Sequence, residues 1–425
     1  MSEKVKLTLN VHDKPETLQW FLLSFQHVFA MFGATILVPI LTGFPVSVAL
    51  FASGLGTIIY YVITSFNVPI YLGSSFAYIP ATIAAIEVCG GDRSSALSGL
   101  MMVGLVYVLI SILIKKIGTK WIDNLLPPIV IGPMIIVIGL GLASSAIRNT
   151  GLIEGGKPEH IIVALFTFVV TALFSTKAKG FFKIVPFLCA IILGYMLSML
   201  LGIVDYSGIV AIIKSGRFIA LPEFMFPFKL GNFEIYQFRI DAVSLGMLPI
   251  ALVTISEHIG DHSVLSKICG KNFLKEPGLD KTIMGDGLAT AVSAFLGGPA
   301  NTSYGENTGV IGMTKVASIY VTTGAAVIAI IMSFLPIVSE IIKSIPLPVL
   351  GGMSIILYGC IASNGLKVLI DNKVDFNKQR NLIIASAMLV IGLGGAILPI
   401  GNVLSLSGTA LSGMIGIIMN KILSK

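Results

Sequence analysis

The chain contains a series of apolar stretches of about 20 residues each, the length an α-helix needs to cross the hydrocarbon core of a bilayer. Only 12% of the residues are charged, whereas a soluble domain has about 25%. The stretches are continuously apolar and do not alternate as barrel strands do. We therefore predict an all-α polytopic membrane protein, which excludes a cytosolic enzyme, a secreted disulfide scaffold and a disordered protein. The uninterrupted stretches fall at 18–41, 46–66, 95–115, 126–147, 159–176, 181–204, 240–260, 282–297, 318–342, 346–365, 381–399 and 403–423.

Two further apolar segments, 67–88 and 298–315, are interrupted by Gly, Pro and Ser and are predicted to be broken spans. Counting them gives fourteen spans and places both termini on one side of the membrane. That arrangement puts 20 of the 28 Lys and Arg residues on the side of the termini. Because cytoplasmic loops carry the excess of Lys and Arg, both termini are expected in the cytoplasm. The net charge of +7 thus follows from topology, and no nucleic-acid partner is expected.

The two halves of the chain show a weak internal repeat. The run that begins at Leu126 resembles the run that begins at Leu347, and Pro128, Gly132 and Gly139 align with Pro348, Gly352 and Gly359. Repeats of seven spans must be inverted in the membrane, and matching interrupted segments in such repeats indicate a transporter's binding site. Chance similarity between two glycine-rich helices is the alternative.

Four carboxylates, Glu257, Asp261, Asp286 and Glu306, lie inside or beside the apolar stretches of the second half, within a window of 50 residues. A carboxylate at the centre of a bilayer costs roughly 2.5–3.5 kcal/mol on insertion scales, so such residues usually have a function. Glu257 and Asp261 are one helical turn apart and share a face. Their mutual repulsion suits uptake of a proton, although Asp261 could instead lie at the hydrated end of its span.

Glu306 lies in a segment, 297–309, whose glycines and proline prevent a continuous helix. Unpaired backbone at membrane depth is tolerated only where it is buried in protein or lines a cavity. A half-helix that begins beside Glu306 would direct backbone N–H groups into that cavity. The matching segment in the first half is 69–76. Carboxylates and backbone N–H groups together suit a neutral heterocycle with alternating N–H and C=O groups, and an inorganic anion fits badly beside two acids.

The remaining polar residues have less specific interpretations. His27 and His258 could serve the site or simply pack through hydrogen bonds, and Asp286 is expected to brace the helix behind the site rather than to touch substrate. His258 and His262 are four residues apart without an evident third ligand, so no metal site is expected. The four cysteines are far apart and are interpreted as packing residues. They are Cys89, Cys189, Cys269 and Cys360.

At these residues the sequence resembles the nucleobase–ascorbate transporter family, and within it the bacterial uracil permeases. The family motif is Gln or Glu, Asn, any residue, Gly, four residues of any kind, Thr and usually a basic residue; here it runs from Glu306-Asn307 through Gly309 to Thr314-Lys315. The segments that begin at Gln26, Tyr71, Glu257 and Asn301 are also similar to uracil-permease motifs. The resemblance covers essentially the whole chain.

The resemblance implies a fold of seven plus seven inverted spans, with spans 3 and 10 broken by short extended strands. It implies a core domain formed by 1–125 and 240–344, a gate domain formed by 126–205 and 345–425, and an extracytoplasmic linker at 206–239. A homodimer in the cell or inner membrane is expected. Carried over by motif, the substrate-binding residues are Glu257, Glu306, Ser75, Phe76 and Gly305. Glu257 and Asp261 are the expected proton-coupling residues, and His27, Tyr304, Asn307 and Asp286 are supporting residues.

The expected function is proton-coupled uptake of uracil by alternating access, with no cofactor other than the coupling proton and no catalytic residue. Glu306 favours uracil, because relatives that carry xanthine or urate usually have Gln at this position. Asp261 is a departure, because uracil permeases commonly have His there and purine transporters have Asp. Xanthine or another base is therefore the alternative substrate. An intramembrane hydrolase is disfavoured because its His-Glu-x-x-His or Gly-x-Gly-Asp motif is absent from the sequence.

Overall fold

The computed structural model describes residues 7–400 and 404–423. In these residues the chain folds into helices joined by short loops, with three two-stranded sheets. The helices of the first half are α1 (Thr17–Thr42), α2 (Val46–Ile63), α3 (Ile79–Val88), α4 (Ser94–Ile117), α5 (Lys120–Leu125), α6 (Pro128–Gly141), α7 (Ala143–Thr150), α8 (Pro158–Lys177), α9 (Phe181–Ile184), α10 (Pro186–Leu200) and α11 (Ser207–Ser215). Those of the second half are α12 (Ala242–Leu245), α13 (Ile250–Cys269), α14 (Leu279–Phe295), α15 (Gly305–Thr314), α16 (Ile319–Ser333), α17 (Pro336–Lys343), α18 (Leu347–Asp371), α19 (Gln379–Leu393) and α20 (Gly408–Ile422). The strands are β1 (Leu72–Ser74), β2 (Met225–Phe226), β3 (Glu234–Ile235), β4 (Asn301–Ser303), β5 (Ile397–Ile400) and β6 (Leu404–Ser407).

The apolar composition produces helices that are long enough to cross a bilayer. Seven segments in the described residues are long and apolar enough, and an eighth is added if the bent pair α16 and α17 is one span. The chain is therefore a multi-pass helical membrane protein. The count of fourteen spans, their inverted relation and the cytoplasmic termini stay predictions. Residue 403, where the last span is predicted to begin, lies outside the described residues.

Several of the apolar stretches differ from the single helical spans predicted for them, and the last two contain strands, since 381–399 ends in β5 and 403–423 includes β6. The stretch 318–342 bends by 85° between α16 and α17, and the stretch 181–204 is interrupted at Val185, between α9 and α10. Each break precedes a proline, Pro336 or Pro186, and the residue before proline is disfavoured in the α-helical conformation. The stretch 240–260 is shorter than the helix it predicts, because α13 continues to Cys269. Asp261 therefore lies inside α13 and not at its end, and its place at the hydrated end of a span stays an alternative.

The two interrupted segments contain short strands that pair with each other. β1 and β4 are antiparallel, and Leu72 lies opposite Ser303 while Ser74 lies opposite Asn301. β1 leads through a 3₁₀ turn at Phe76–Tyr78 into α3, and β4 leads directly into α15. The pairing of β1 with β4 also requires a glycine at position 73, because a Cβ on Gly73 would lie 2.5 Å from the ring of Tyr304. Both segments thus place an extended stretch and a helix start in the interior of the molecule.

The helices pack mainly within two groups. In one group, α14 packs on α2 and α4, and α16 packs on α1 and α2. In the other, α18 packs on α6, α7, α8 and α10, and α19 and α20 pack on α6. Close approach within the second group depends on glycine, since a Cβ on Gly139 would lie 2.5 Å from the backbone nitrogen of Ala362. The boundaries of the core and gate domains remain a prediction.

Candidate functional site

A cavity of about 400 Å³, lined by both polar and apolar side chains, lies between the two helix groups. This volume falls within the range of roughly 300–1,000 Å³ that is typical of small-molecule sites. One wall is formed by β1 and the residues after it, α13, β4 and the start of α15. It is lined by Ser74, Ser75, Phe76, Glu257, Asp261, Thr302, Ser303, Tyr304, Gly305 and Glu306. The facing wall is lined by Ser175, Phe187, Leu357, Cys360, Ile361 and Asn364.

Three of the four predicted carboxylates meet at this cavity. Glu257 and Asp261 lie one turn apart on α13, and Glu306 is the second residue of α15. Glu257 is exposed and lines the cavity. Asp261 lies against the start of α15, since a Cβ on Gly305 would be 3.3 Å from Asp261 Oδ1. No Lys or Arg lines the cavity in the described residues, so its ionisable lining is acidic.

Backbone N–H groups complement these acids. α15 begins at Gly305, so the first N–H groups of this helix have no carbonyl partner within the helix. The helix dipole adds a partial positive charge at the same end. Phe76 begins the 3₁₀ turn on the neighbouring segment and also lines the cavity. The cavity therefore combines acceptors, the carboxylates, with donors from the backbone.

Tyr304 and Asn307 hold α15 in place from two sides. The Tyr304 hydroxyl donates to the carbonyl oxygen of Ser74 at 2.9 Å and accepts from the Thr35 hydroxyl at 3.2 Å. The Asn307 amide donates to the carbonyl oxygen of His27 at 3.1 Å and to His27 Nδ1 at 3.0 Å. His27 is buried and does not line the cavity, so its place is behind the site.

Asp286 is the fourth predicted carboxylate and lies behind β4, outside the cavity lining. Its Oδ2 accepts from His258 Nδ1 at 2.8 Å and from the backbone N–H of Ser303 at 3.1 Å, and its Oδ1 accepts from the Ser303 hydroxyl at 2.9 Å. His258 in turn stacks on His262, with ring centroids 3.8 Å apart. Asp286 thus ties α14 to α13 and to β4 at the floor of the cavity.

Sequence reasoning missed the facing wall. Asn364 and Cys360 lie one turn apart on α18, and Ser175 lies on α8. An asparagine near the end of a predicted span was a usable signal, because polar residues in such spans usually face the protein interior. Phe187 carried no such signal. It also lines a neighbouring, mostly apolar cavity of about 210 Å³ that reaches Lys183.

The structure does not group ligands for a metal. Within residues 7–400 and 404–423, no three His, Cys, Asp or Glu side chains are arranged to hold a metal ion. His262 instead uses its ring nitrogens in hydrogen bonds. Its Nδ1 lies 2.8 Å from the carbonyl oxygen of His258, to which only a protonated nitrogen can donate, and its Nε2 lies 2.6 Å from the Tyr60 hydroxyl.

The fold is that of a multi-pass helical membrane protein with a partly open cavity between helix groups. Solved structures of similar fold include the transmembrane domain of the cyanobacterial bicarbonate transporter BicA, with a TM-score of 0.65 and 16% identity over 98% of this chain and 100% of that one. The murine anion transporter Slc26a9 in the inward-facing state gives a TM-score of 0.69 and 11% identity over 97% of this chain and 69% of that one. At these identities the likeness shows the fold alone.

Sequence comparison identifies the family. A family model described as "Permease family" matches residues 18–401. Uracil permeases are similar over nearly their whole length. That of Bacillus caldolyticus is 48% identical, over 98% of this chain and 95% of the permease. That of Bacillus subtilis is 44% identical, over 100% of this chain and 96% of the permease, and that of Escherichia coli K12 is 41% identical, over 96% of this chain and 92% of the permease. The chain belongs to this permease family, the nucleobase–ascorbate transporters.

Proposed function

We propose that the chain imports uracil together with a proton, by alternating access. The observation that carries this proposal is the grouping of Glu257, Asp261 and Glu306 around one cavity with the start of α15. Carboxylates accept hydrogen bonds from the N–H groups of a base, and backbone N–H groups donate to its carbonyls. The uracil permeases to which the chain is similar support the choice of substrate.

Proton coupling is proposed from the charges in the cavity. The three carboxylates repel one another, because no Lys or Arg among the described residues lines the cavity. This repulsion is relieved when one carboxylate binds a proton. A proton and a neutral base would then enter together. Glu257 is the proposed proton-linked acid, since it presents the largest exposed fraction of the three to the cavity, and Asp261 shares the charge.

Alternating access is proposed from the position of the cavity. Its acidic wall belongs to the proposed core domain (1–125 and 240–344), while Ser175, Phe187, Cys360 and Asn364 belong to the proposed gate domain (126–205 and 345–425). Movement of one helix group against the other would open the cavity to either side of the membrane in turn. We further propose cytoplasmic termini, an external linker at 206–239 and a homodimer, all on the family resemblance.

Uptake of radiolabelled uracil into proteoliposomes at two external pH values tests the proposal. We expect faster uptake at the acidic pH, loss of uptake in Glu306→Ala, and uptake without normal pH dependence in Glu257→Gln. The exposed Glu87, outside the cavity lining, supplies the control Glu87→Gln, which should behave as the unchanged protein. An unchanged pH profile in Glu257→Gln would remove this residue from coupling, and normal uptake in Glu306→Ala would remove Glu306 from the site.

Xanthine is the second candidate substrate, because Asp261 occupies the position at which uracil permeases usually have His. Unlabelled xanthine, thymine and sulfate as competitors in the same assay separate the candidates. We expect unlabelled uracil to compete strongly and xanthine, thymine and sulfate to compete weakly. Competition by xanthine at the concentration at which uracil competes would favour the alternative, and competition by sulfate would contradict a neutral substrate.

A further inference from the structure

A second cavity, of about 210 Å³, adjoins the cavity of the candidate site. Four residues line both cavities, namely Phe76, Phe187, Glu306 and Leu357. The second cavity is therefore a direct neighbour of the space in which a base is proposed to bind. The proposed transport of an unsubstituted base does not use this additional space.

The lining of the second cavity is apolar. Among the described residues, all that line it except Lys183 and Glu306 are Gly, Ala, Val, Leu, Met, Pro or Phe. Glu306 belongs to the boundary that the two cavities share. Lys183 is exposed, so its ammonium group can stay in water while its methylene groups line the cavity. Since an apolar cavity of about 150 Å³ in a protein can bind benzene, the second cavity suits a ring of this size.

Uracil has one apolar edge. Its N–H and C=O groups lie at ring positions 1 to 4, and the carbons at positions 5 and 6 carry only hydrogen. The carboxylates and backbone N–H groups of the site complement the polar edges, which leaves the apolar edge to contact apolar side chains. In the described part of the site, the large apolar side chains are those of Phe76, Phe187, Leu357 and Ile361. All of these except Ile361 also line the second cavity, so we expect the apolar edge to face it.

The side chains at the shared boundary have room to move. Phe76 and Phe187 are half-buried, so neither ring is packed on all sides. Gly33 of α1 lies beside Phe187, since a Cβ on Gly33 would be 3.5 Å from Phe187 Cβ. Because Gly33 has no side chain, the Phe187 ring can rotate without displacing one at that position. Such a rotation would join the two cavities without a movement of the helices.

We propose that the second cavity is a subsite for an apolar substituent, such as a benzyl group, on the apolar edge of a bound uracil ring. The proposal rests on the proposed function, because it requires a base in the candidate site. The second cavity lies between α1 and α15 on one side and α10 and α18 on the other. Because α1 and α18 belong to different helix groups, a ligand that fills both cavities holds the groups together. The substituted base should therefore bind and inhibit uptake without being transported.

Displacement of radiolabelled uracil from the purified full chain tests the subsite. The probes are 5-benzyluracil and 6-benzyluracil, which place the phenyl ring on either carbon of the apolar edge. We expect at least one of them to displace uracil at a concentration no higher than unlabelled uracil requires. Uracil that binds to the chain but is displaced by neither compound would overturn the subsite and leave the proposed function intact. A chain that binds no uracil would overturn the proposed function, and the subsite with it.

Met313 provides a variant that fills the second cavity without changing the candidate site. It lines the second cavity only and is 43% exposed. Met313→Trp should weaken displacement by the benzyl compound about tenfold, because the phenyl ring loses its apolar surroundings. Met313→Phe should act in the same direction, and uracil itself should bind to both variants as it does to the unchanged protein. Displacement that neither variant weakens would place the benzyl group elsewhere and overturn the proposal.

Met199 supplies the matched control, because it is 47% exposed and lines neither cavity. Met199→Trp should leave the displacement by both uracil and the benzyl compound unchanged. Counterflow in proteoliposomes tests whether the substituted base is transported. Uracil inside the vesicles should accelerate entry of labelled uracil, and the benzyl compound inside should not. Acceleration by the internal benzyl compound would show that it is transported and would contradict a ligand that holds the two helix groups together.

Discussion

Asp286 is the residue that the sequence predicts to brace the helix behind the site, and its burial fits that role. The residue is fully buried, is absent from the cavity lining and accepts hydrogen bonds from His258 and from the backbone and hydroxyl of Ser303. Because the carboxylate is fully buried and lies outside the cavity lining, a substrate in the cavity does not contact it. It positions β4 and α13, which carry the cavity residues.

Replacing Asp286 by alanine should destabilise the protein strongly. The Ser303 N–H would remain buried without a partner, and His258 Nδ1–H would keep only the Ser303 hydroxyl at 3.4 Å. An unpaired buried donor costs about 1–3 kcal/mol. Asp286→Asn should cost much less, because the amide oxygen can accept from both donors while the Ser303 hydroxyl rotates to accept from the amide N–H. Thermal unfolding in detergent measures the difference. An Asn variant with normal stability but no uracil binding would contradict a bracing role.

Asp92 and Arg239 form an ion pair at 3.0 Å between the start of α4 and the linker, outside the membrane-spanning segments. Hydrogen bonds from Ser94 hold the pKa of Asp92 below its ordinary value of 3.8. A depressed folded-state pKa stabilises the fold above the unfolded pKa, and this contribution is lost as pH falls through the folded value.

Asp92→Asn should therefore lower stability slightly at pH 7. It should make no difference at a pH below the folded-state pKa of Asp92, where this carboxyl is protonated in both the folded and the unfolded protein. Both side chains are 39% exposed, so solvent screening limits the effect to less than about 1 kcal/mol. Melting temperatures of the two proteins at pH 7 and in acid, with low and high salt, provide the comparison. A difference that persists unchanged in acid would show that the carboxylate charge is not its source.

At the level of elements, local sequence predicted the interruptions at 67–88 and 298–315 because glycine and proline act on their own backbone. It could not predict that β1 and β4 pair with each other, since Leu72 and Ser303 are 231 residues apart and neither strand has a distinctive pattern. The bend of 85° between α16 and α17 also escaped prediction, because the surrounding residues stay apolar through the break. The hydrophobicity of a segment indicates its surroundings, but it does not indicate the direction in which its helices run.

Helix α18 provides a matched test of glycine packing. A Cβ on Gly365 would lie 2.5 Å from the carbonyl oxygen of Gly132 on α6, whereas a Cβ on Gly359 has no neighbour within 4 Å. Gly365→Ala should destabilise the protein by about 1–3 kcal/mol through overpacking. Gly359→Ala should be neutral or should stabilise it by up to about 1 kcal/mol, because alanine favours the helix. Thermal unfolding distinguishes them, and equal effects would refute close packing of α6 and α18 at Gly132.

On the scale of the whole molecule, the sequence predicted one wall of the cavity and not the other. Carboxylates in apolar stretches are costly, so Glu257, Asp261 and Glu306 were conspicuous. Ser175, Phe187 and Leu357 are ordinary residues of apolar helices, and only the meeting of the two helix groups makes them part of a site. A cavity between groups is a tertiary property, which local spacing does not contain.

Cys360 offers a probe of that composite cavity. It is exposed and lines the wall that faces the acids, while Cys89 and Cys189 are half-buried and Cys269 is buried. N-ethylmaleimide should therefore label Cys360 and inhibit uracil uptake, and Cys360→Ser should transport uracil and resist inhibition. Uracil at roughly ten times its Kd should slow labelling about tenfold, because only the unoccupied fraction reacts. Mass spectrometry of labelled peptides measures the rate. If uracil binds to the protein but does not slow the labelling of Cys360, the substrate lies away from α18. It would then contact only the acidic wall of the cavity.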